Sequence, residues 1–285
     1  MSIIEKAMEK LPKPVEAAPV ENKGEAAAPV KEAQTDSTAN YREIDLNRLK
    51  QRNIISPHGE SYHAIAEEFR MIKRPLLDNA FDKSVKNGNL IMVTSSLPGE
   101  GKTFCAVNLA MSIAMEMNRT VLLVDADVLK PSVLHQLGIT ADRGLMDLVQ
   151  EKEIKVSDVL IRTNIENLSI LPPGRHHRKS TELLASDAMA MLLEDMAQRY
   201  PDRIILFDSP PLLVTTEASV LASHMGQIVM VAESEKTPQP ALKEALSLIE
   251  SCDIVGLILN KTPHMPGFEY YGYGYGYGYG KRHGQ

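Results

Sequence analysis

The chain contains 285 residues, with 31 Lys and Arg against 37 Asp and Glu, so its formal net charge at pH 7 is −6. This acidic balance argues against a nucleic-acid coat protein, and we expect no nucleic-acid partner. The longest apolar runs span about six residues, far fewer than the roughly twenty that a membrane span needs. The first residues also lack the basic segment and apolar core of a secretory signal. We therefore expect one or two globular domains that stay in the cytoplasm.

The first forty residues differ in composition from the rest of the chain. Within residues 2–11, apolar side chains recur at spacings that fall on one face of a short amphipathic helix. Residues 12–40 are rich in Pro, Ala, Glu and Lys, and such a stretch buries too little apolar surface to offset the entropy of ordering. It is therefore predicted to be a linker. The short helix is either a frayed terminus or a docking peptide for a helical or membrane-surface partner.

Short apolar segments then alternate with helical patterns over most of the chain. The predicted strands cover residues 90–93, 121–124, 168–171, 204–207, 228–231 and 254–259. The predicted helices cover residues 60–87, with Pro75 expected to kink or interrupt the pattern, and residues 105–117, 181–200 and 240–252. Strands buried on both faces and joined by helical crossovers predict an α/β fold, a parallel β-sheet flanked by helices. Cys105 and Cys252 lie in apolar stretches and are predicted to be small core residues.

A glycine-rich segment follows the first predicted strand and reads Ser96-Leu97-Pro98-Gly99-Glu100-Gly101-Lys102-Thr103. Glycines let backbone N–H groups converge on phosphate oxygens, the lysine reaches the β- and γ-phosphates, and the hydroxyl is a ligand for Mg²⁺. The first glycine of the usual Walker pattern is replaced by Ser96, and the Rossmann dinucleotide pattern is not matched. The segment therefore predicts a phosphate loop of the P-loop NTPase type.

Three acidic residues follow two other predicted strands. Asp125 and Asp127 come directly after residues 121–124, and Asp208 follows residues 204–207 in the position of a Walker B acid. A single Asp after a strand is most often a helix cap. Since parallel strands end at one edge of a sheet, we expect these three to converge on Lys102 in a ligand site.

The end of the chain alternates tyrosine with glycine, and six of its nine tyrosines fall within ten positions. These are Tyr270, Tyr271, Tyr273, Tyr275, Tyr277 and Tyr279. Glycine at every second position destabilises a helix, and an alternating repeat of this kind has no reason to pack in a core. Residues 263–285 are therefore predicted to be a flexible, exposed tail.

Together, the phosphate loop, the Asp125-Ala126-Asp127 element, Asp208 and the tyrosine cluster resemble the bacterial tyrosine autokinases of polysaccharide assembly, the BY-kinases. The resemblance covers about residues 41–285 and implies a deviant-Walker ATPase-like fold, with a kinase domain over residues 41–262. Related positioning ATPases carry a signature lysine that would fall at Leu97, and its absence favours the kinase branch. The chain start and the Tyr-Gly tail resemble stand-alone autokinases associated with exosortase-type exopolysaccharide systems.

The resemblance implies ATP and Mg²⁺ as cofactors and autophosphorylation of the tail tyrosines, in trans between subunits. The implied nucleotide-binding residues are Pro98, Gly99, Glu100, Gly101, Lys102, Thr103, Phe104 and Asn260. Thr103, Asp127 and Asp208 would hold Mg²⁺, directly or through water, while Lys102 contacts phosphate. Asp125 would act as the base, although Asp125 and Asp127 could exchange these roles. Asn260 lies where relatives contact adenine, but Asn at a strand end is often only a turn residue.

The resemblance also implies an assembly. Glu67, Arg70 and Lys73 resemble the family's Glu-x-x-Arg-x-x-Arg element for ring assembly, with Lys in place of the last Arg, which would make residues 41–88 a helical oligomerisation region. Charges at this spacing are otherwise a solvated helix face. The implied partners are other copies of the chain, a membrane chain-length-determinant protein that recruits it to the inner face of the cell membrane, and a cognate tyrosine phosphatase.

Two other functions remain open. A nucleotide-switched positioning ATPase of the ParA/MinD type would account for the phosphate loop and the three acids, but not for Leu97 or the tyrosine tail. An interaction protein with an adhesive aromatic tail would account for the tail, but would leave Lys102 and the acids unexplained.

Overall fold

The computed structural model describes residues 40–57, 63–151, 153–199 and 202–263. The predicted N-terminal helix and linker and the tyrosine cluster lie outside the described residues. The strands are β1 (Tyr41–Arg42), β2 (Leu90–Ser95), β3 (Thr120–Asp125), β4 (Ile161–Thr163), β5 (Leu168–Leu171), β6 (Arg203–Asp208), β7 (Gln227–Glu233) and β8 (Val255–Asn260).

The helices surround this sheet and connect most of its strands. They are α1 (Leu46–Gln51), α2 (His63–Phe81), α3 (Lys102–Ala114), α4 (Val133–Leu137), α5 (Leu145–Gln150), α6 (Val156–Val159), α7 (Ser180–Leu184), α8 (Asp187–Arg199), α9 (Thr216–Ala222) and α10 (Gln239–Ser247). Among the described residues, no helix has the length and apolar character that crossing a bilayer would require.

The strands form one sheet in the order β1-β4-β5-β3-β6-β2-β7-β8. In this order, the six neighbouring strands β5, β3, β6, β2, β7 and β8 are mutually parallel. They are the six strands predicted from the apolar segments. The predicted α/β fold is therefore confirmed. At one edge β4 runs antiparallel to β5, and β1 pairs with β4. These two strands have only three and two residues, too few to show an apolar periodicity in the sequence.

The hydrophobic core lies on both faces of the sheet. Along β2, Ile91 and Val93 pack into the cluster on one face, while Leu90 and Met92 pack into the cluster on the other. Every residue of β2 is buried, as expected for a central parallel strand covered by helices on both sides. The two cysteines are buried free thiols, which confirms their prediction as core residues.

Two helical predictions need correction. Helix α2 runs through Pro75 without interruption, because the buried side chains of Phe69 and Leu76 hold it against the core despite the missing N–H. The single helix predicted over residues 181–200 is instead two helices, α7 and α8. The break occurs where the Ser186 hydroxyl accepts a hydrogen bond from the N–H of Met189, so a side chain competes with the helical backbone.

Helix α2 also carries the three charged residues predicted to mediate assembly, and the structure separates them. Glu67 and Arg70 form an ion pair with each other, and each side chain is 55% exposed. Lys73 is buried: its ammonium donates to the carbonyl of Ser112 in the neighbouring α3 at 2.7 Å and pairs with Glu116, just beyond the end of α3, at 2.6 Å. In this chain the third residue therefore joins α2 to α3.

This difference predicts unequal effects of two glutamate substitutions on stability. Glu116→Ala leaves the buried Lys73 ammonium with one partner fewer, so we expect the free energy of unfolding to fall by about 1–3 kcal/mol. Glu67→Ala breaks only an exposed pair and should change it by less than about 0.5 kcal/mol. Urea denaturation measures both values. Equal losses in the two variants would contradict a structural role for Lys73.

Candidate active site

The candidate site lies at the carboxyl edge of the sheet, where three neighbouring strands end. β2 leads into the phosphate loop, β3 ends at Asp125 and β6 ends at Asp208. The register of β3 and β6 pairs Asp125 directly with Asp208, and the register of β2 and β6 pairs Val93 with Asp208. Strand order thus brings together motifs that lie far apart in the sequence.

The phosphate loop is held in a conformation that needs its glycines. Gly99 and Gly101 have φ angles of 88° and 97°, in the left-handed region that favours glycine. A Cβ atom on Gly101 would lie 2.1 Å from the side-chain nitrogen of Asn260. The Glu100 carboxylate accepts hydrogen bonds from the N–H of Leu97 at 2.8 Å and from the hydroxyl of Thr237. The loop is therefore held by its own carboxylate and also contacts Thr237, between β7 and α10, and Asn260, at the end of β8.

Lys102, the first residue of α3, extends its ammonium between two of the acids. Its Nζ donates to Asp127 Oδ2 at 2.7 Å and lies 3.6 Å from Asp208 Oδ1. Burial by itself would lower the pKa of Lys102, but the negative charges of Asp208 and Asp127 outweigh it, and the net effect is a raised pKa. The ammonium thus stays charged where a phosphate would need it.

Asp208 lies beneath the loop and is fully buried. Its Oδ2 accepts a hydrogen bond from the Thr103 hydroxyl at 2.7 Å, whereas its Oδ1 accepts none from the described residues. Burial raises the pKa of Asp208 to about 6, against the opposing effect of Lys102. Among the residues that the structure describes, the nearest cation to this Oδ1 is the Lys102 ammonium at 3.6 Å, so the oxygen is available to a metal ion when that ammonium turns away.

Asp125 and Asp127 have different surroundings. Asp125 is fully buried, and its Oδ2 accepts from the backbone N–H groups of Ser132 and Val133 at 3.1 and 3.0 Å, at the start of α4. Its Oδ1 has no hydrogen-bond partner in the described part of the chain. Burial, and next the charge of Asp208, raises the pKa of Asp125 to about 7. Asp127 is bound by Lys102 and by the N–H of Lys130.

A cavity of about 310 Å³ opens above these side chains. The predicted site residues that line it are Pro98, Gly99, Gly101, Lys102, Thr103, Phe104 and Asp127. Asp125 and Asp208 do not line it and lie behind that surface. A second cleft, of about 440 Å³, is lined by Phe104 and Asn260 and extends along β8. Phe104 belongs to both, so the two are neighbours.

The sequence did not indicate that residues after β7 and at the end of β8 contact the phosphate loop. Thr237 donates to the carboxylate of Glu100, and Lys261 donates to the carbonyl of Gly99 at 2.7 Å and to Glu233 at 2.8 Å. Asn260 was predicted as an adenine contact; it donates to the Glu100 carbonyl at 2.9 Å. The only sequence signal was the position of Asn260 and Lys261 directly after a predicted strand.

The raised pKa values of the buried acids predict how stability depends on pH. Both values exceed the ordinary 3.8, so between about pH 4 and 7 the folded chain keeps protons that the unfolded chain has released. Without nucleotide or metal ion, these two groups should make the free energy of unfolding fall as pH rises through this range. Asp208→Asn removes one of these two titrating carboxyl groups, so the free energy of unfolding should fall less steeply with pH. The control Asp142→Asn changes an exposed position and should leave the slope as it is in the parent. Urea denaturation at several pH values tests this, and equal slopes in parent and Asp208→Asn would contradict it.

Comparison with known proteins identifies the family to which this chain belongs. A family model described as an AAA domain matches residues 88–255. The tyrosine-protein kinase YwqD of Bacillus subtilis is 30% identical over 226 residues, which cover 78% of this chain and 92% of YwqD. A Staphylococcus aureus protein named as a tyrosine-protein kinase, CapB, is 29% identical over 227 residues, which cover 78% of this chain and 96% of CapB. The crystal structure of the chimerical protein CapA2B2 is 29% identical, covers 78% of this chain and 93% of that chain, and has a TM-score of 0.63.

These matches extend over nearly the whole length of the two relatives, and both are named as kinases of tyrosine. They agree with the absence of a lysine at Leu97, on which the sequence separated a kinase from a positioning ATPase. The similarity to these relatives supports both a nucleotide-binding fold and protein-tyrosine kinase activity. The chain belongs to the AAA domain family and, within it, to the bacterial protein-tyrosine kinases, the BY-kinases.

Proposed function

We propose that this kinase transfers the γ-phosphoryl group of ATP to the tyrosines of its own C-terminal tail, residues 270–279. The observation that carries this proposal is the cluster of Lys102, Asp127, Asp208 and Thr103 beneath a cavity bordered by the phosphate loop. The tyrosines themselves lie outside the described residues. Their spacing by glycine supports the proposal, since a flexible segment can offer several hydroxyls to one site in turn.

The ATP phosphates would bind at residues 98–103, with the Lys102 ammonium turning from Asp127 towards the β- and γ-phosphates. The adenine would lie in the cleft beside Phe104 and Asn260, which adjoins the phosphate cavity. Phosphoryl transfer mainly requires positioning and charge stabilisation, and both are supplied by groups already held in place by the sheet.

Thr103, Asp127 and Asp208 fit a magnesium ion, because hydroxyl and carboxylate oxygens are its preferred ligands. Asp208 Oδ1 is buried and makes no hydrogen bond in the described residues, and the Lys102 ammonium 3.6 Å away would turn towards phosphate when ATP binds. The described residues contain no group of three or more His, Cys, Asp or Glu side chains that could hold a metal ion. The remaining ligands would therefore be phosphate oxygens and water, as is usual for this ion. When bound, the ion would neutralise charge on the phosphates.

Asp125 is the proposed base. The tyrosine oxygen forms a bond to the γ-phosphorus, the bond from that phosphorus to the ADP oxygen breaks, and the tyrosine proton passes to the carboxylate. Asp125 has a free Oδ1, while Asp127 is occupied by Lys102 and the N–H of Lys130. Because Asp125 is fully buried, the segment over it must move before a hydroxyl can reach it. Asp127, which lines the cavity, is the alternative.

Asparagine substitutions separate these roles. Asp125→Asn keeps an oxygen that can accept from Ser132 and Val133, so ATP binding should stay within about threefold while phosphorylation falls by about 100-fold or more. Asp127→Asn removes a proposed metal ligand and should weaken Mg²⁺-ATP binding as well. Titration calorimetry and phosphate incorporation measure the two effects. If Asp125→Asn transfers phosphate at the parental rate, the base is not Asp125.

The proposed reaction takes place in trans within an oligomer, for which a ring is the predicted form. The exposed pair of Glu67 and Arg70 on α2 can contact a neighbouring copy, whereas Lys73 would support that surface from within. Each phosphate adds about −1.5 to −2 charges, so a fully phosphorylated tail would repel its neighbours and favour dissociation.

The proposed biological role is the regulation of exopolysaccharide polymerisation and export. In this proposal the kinase acts in the cytoplasm, is recruited to the inner face of the membrane by a chain-length-determinant protein, and is reset by a tyrosine phosphatase. The predicted amphipathic helix within residues 2–11 and the linker after it would provide the attachment. The family membership and the acidic charge of the chain support a protein partner over nucleic acid.

A mixing experiment tests phosphorylation in trans. Full-length Lys102→Met chain, which supplies tyrosines but should not transfer phosphate, is mixed with a chain whose six tail tyrosines are changed to phenylalanine. With ATP and Mg²⁺, mass spectrometry should find phosphate on the tail of the Lys102→Met chain only in the mixture. Neither chain alone should be modified there. If the tail stays unmodified in the parent, the variants and the mixture, the proposed autophosphorylation is contradicted. If the parent is modified but the Lys102→Met chain in the mixture is not, the transfer takes place in cis.

A further inference from the structure

The end of β8 holds the phosphate loop through two consecutive carbonyl groups. The amide nitrogen of Asn260 donates to the carbonyl of Glu100 at 2.9 Å, and the ammonium of Lys261 donates to the carbonyl of Gly99 at 2.7 Å. Lys261 has a φ angle of 56°, in the left-handed region that non-glycine residues seldom adopt. A strained backbone of this kind persists only where surrounding contacts maintain it.

Peptide geometry converts these two contacts into an orientation of N–H groups. In a planar trans peptide the C=O and the next N–H point in opposite directions. With the carbonyls of Gly99 and Glu100 held towards Lys261 and Asn260, the N–H groups of Glu100 and Gly101 must point away from them. Neither N–H donates a hydrogen bond within the described part of the chain.

The residues on either side of Glu100 line the phosphate cavity, although Glu100 itself is buried and does not. Gly99 and Gly101 line the 310 Å³ cavity together with Lys102 and Thr103. Lys261 does not line that cavity and instead lines the neighbouring cleft along β8. The two carbonyls are therefore bound by residues outside the phosphate cavity, and peptide geometry places the two N–H groups on the side of the loop away from these residues.

Lys261 is itself anchored. Its ammonium lies 2.8 Å from Oε2 of Glu233, the last residue of β7, whose side chain is only 10% exposed. The other oxygen of Glu233 pairs with Lys236, whose side chain is 75% exposed. The two lysines thus share one carboxylate, but only Lys261 also contacts the phosphate loop.

We propose that Lys261 is a positioning residue, which keeps the Gly99 carbonyl turned outward so that the N–H of Glu100 is presented to a phosphate of ATP. This rests on the proposed binding of the ATP phosphates at residues 98–103. Lys261 touches no reacting atom in this account, and it acts through the loop with Glu233 as its anchor. Without the Lys261 side chain, the Gly99-Glu100 peptide can rotate. Phosphate binding must then also order that peptide, which lowers the affinity for ATP.

The test compares Lys261→Met with Lys236→Met, a matched control that removes the other lysine on Glu233. An N–H bond to a charged group contributes enough that Lys261→Met should raise the Kd for Mg²⁺-ATP, and the KM for ATP, about tenfold. The kcat should change by less than about threefold, and Lys236→Met should bind ATP like the parent. Lys261→Arg, which retains a donor and the charge, should recover part of the affinity.

Glu233→Gln provides a second variant that leaves Lys261 in place. It should weaken ATP binding in the same direction, and adding Lys261→Met should cause little further loss, because both act through one contact. The thermal unfolding midpoint without nucleotide shows that each variant is folded. Parental ATP affinity in Lys261→Met, or an equal loss in Lys236→Met, would overturn the inference. ATP binding is measured directly and does not depend on tail phosphorylation. A parent chain that binds ATP without modifying its tail would contradict the proposed autophosphorylation, but the affinities of the variants would still test the role of Lys261.

Discussion

Three buried carboxylates surround one partly buried ammonium at the edge of the sheet, and the rest of the site depends on this arrangement. Lys102 lies 2.7 Å from Asp127 and 3.6 Å from Asp208, while Asp125 is paired in register with Asp208. Burial disfavours the charged form of a carboxyl group, and one positive charge cannot offset this for three carboxylates. The pKa values of Asp125 and Asp208 are therefore raised. The site is therefore less stable by itself than with a cation present, a common cost of a binding site.

The second constraint is the shape of the phosphate loop. Its carboxylate at Glu100 and its carbonyls at Gly99 and Glu100 are all bound by groups outside the phosphate cavity: Thr237, Lys261 and Asn260. In the proposed mode of ATP binding, the loop would not need to rearrange to offer its N–H groups to phosphate, since these acceptors are already satisfied. Preorganisation of this kind matters for a kinase, because the protein contributes mainly position and charge to phosphoryl transfer.

Much of the fold could be predicted, and the failures have physical causes. Five of the six predicted strands were recognisable because strands buried on both faces are continuous apolar runs. The sixth, β8, is also an apolar run, but it is the edge strand of the sheet and its residues are mostly exposed. Helices such as α4 and α6, of five and four residues, are too short for a periodic pattern and escaped prediction. Pro75 was expected to disturb α2, but packing of the buried face outweighed the lost hydrogen bond. The spacing of Lys73 could not indicate that its ammonium bonds to the carbonyl of Ser112 in α3, because that contact depends on how two helices pack.

The sequence by itself determined the chemistry of this protein: a strand, a phosphate loop with Lys102 and Thr103, and acids directly after two further strands. These are local patterns, and parallel strands necessarily bring their carboxyl ends to one edge. Only the tertiary structure decided which atoms meet, as when Lys261 reaches Gly99 across 162 positions of the chain. Such contacts depend on strand order and on the packing of whole layers, so no pattern within a short stretch of sequence could reveal them.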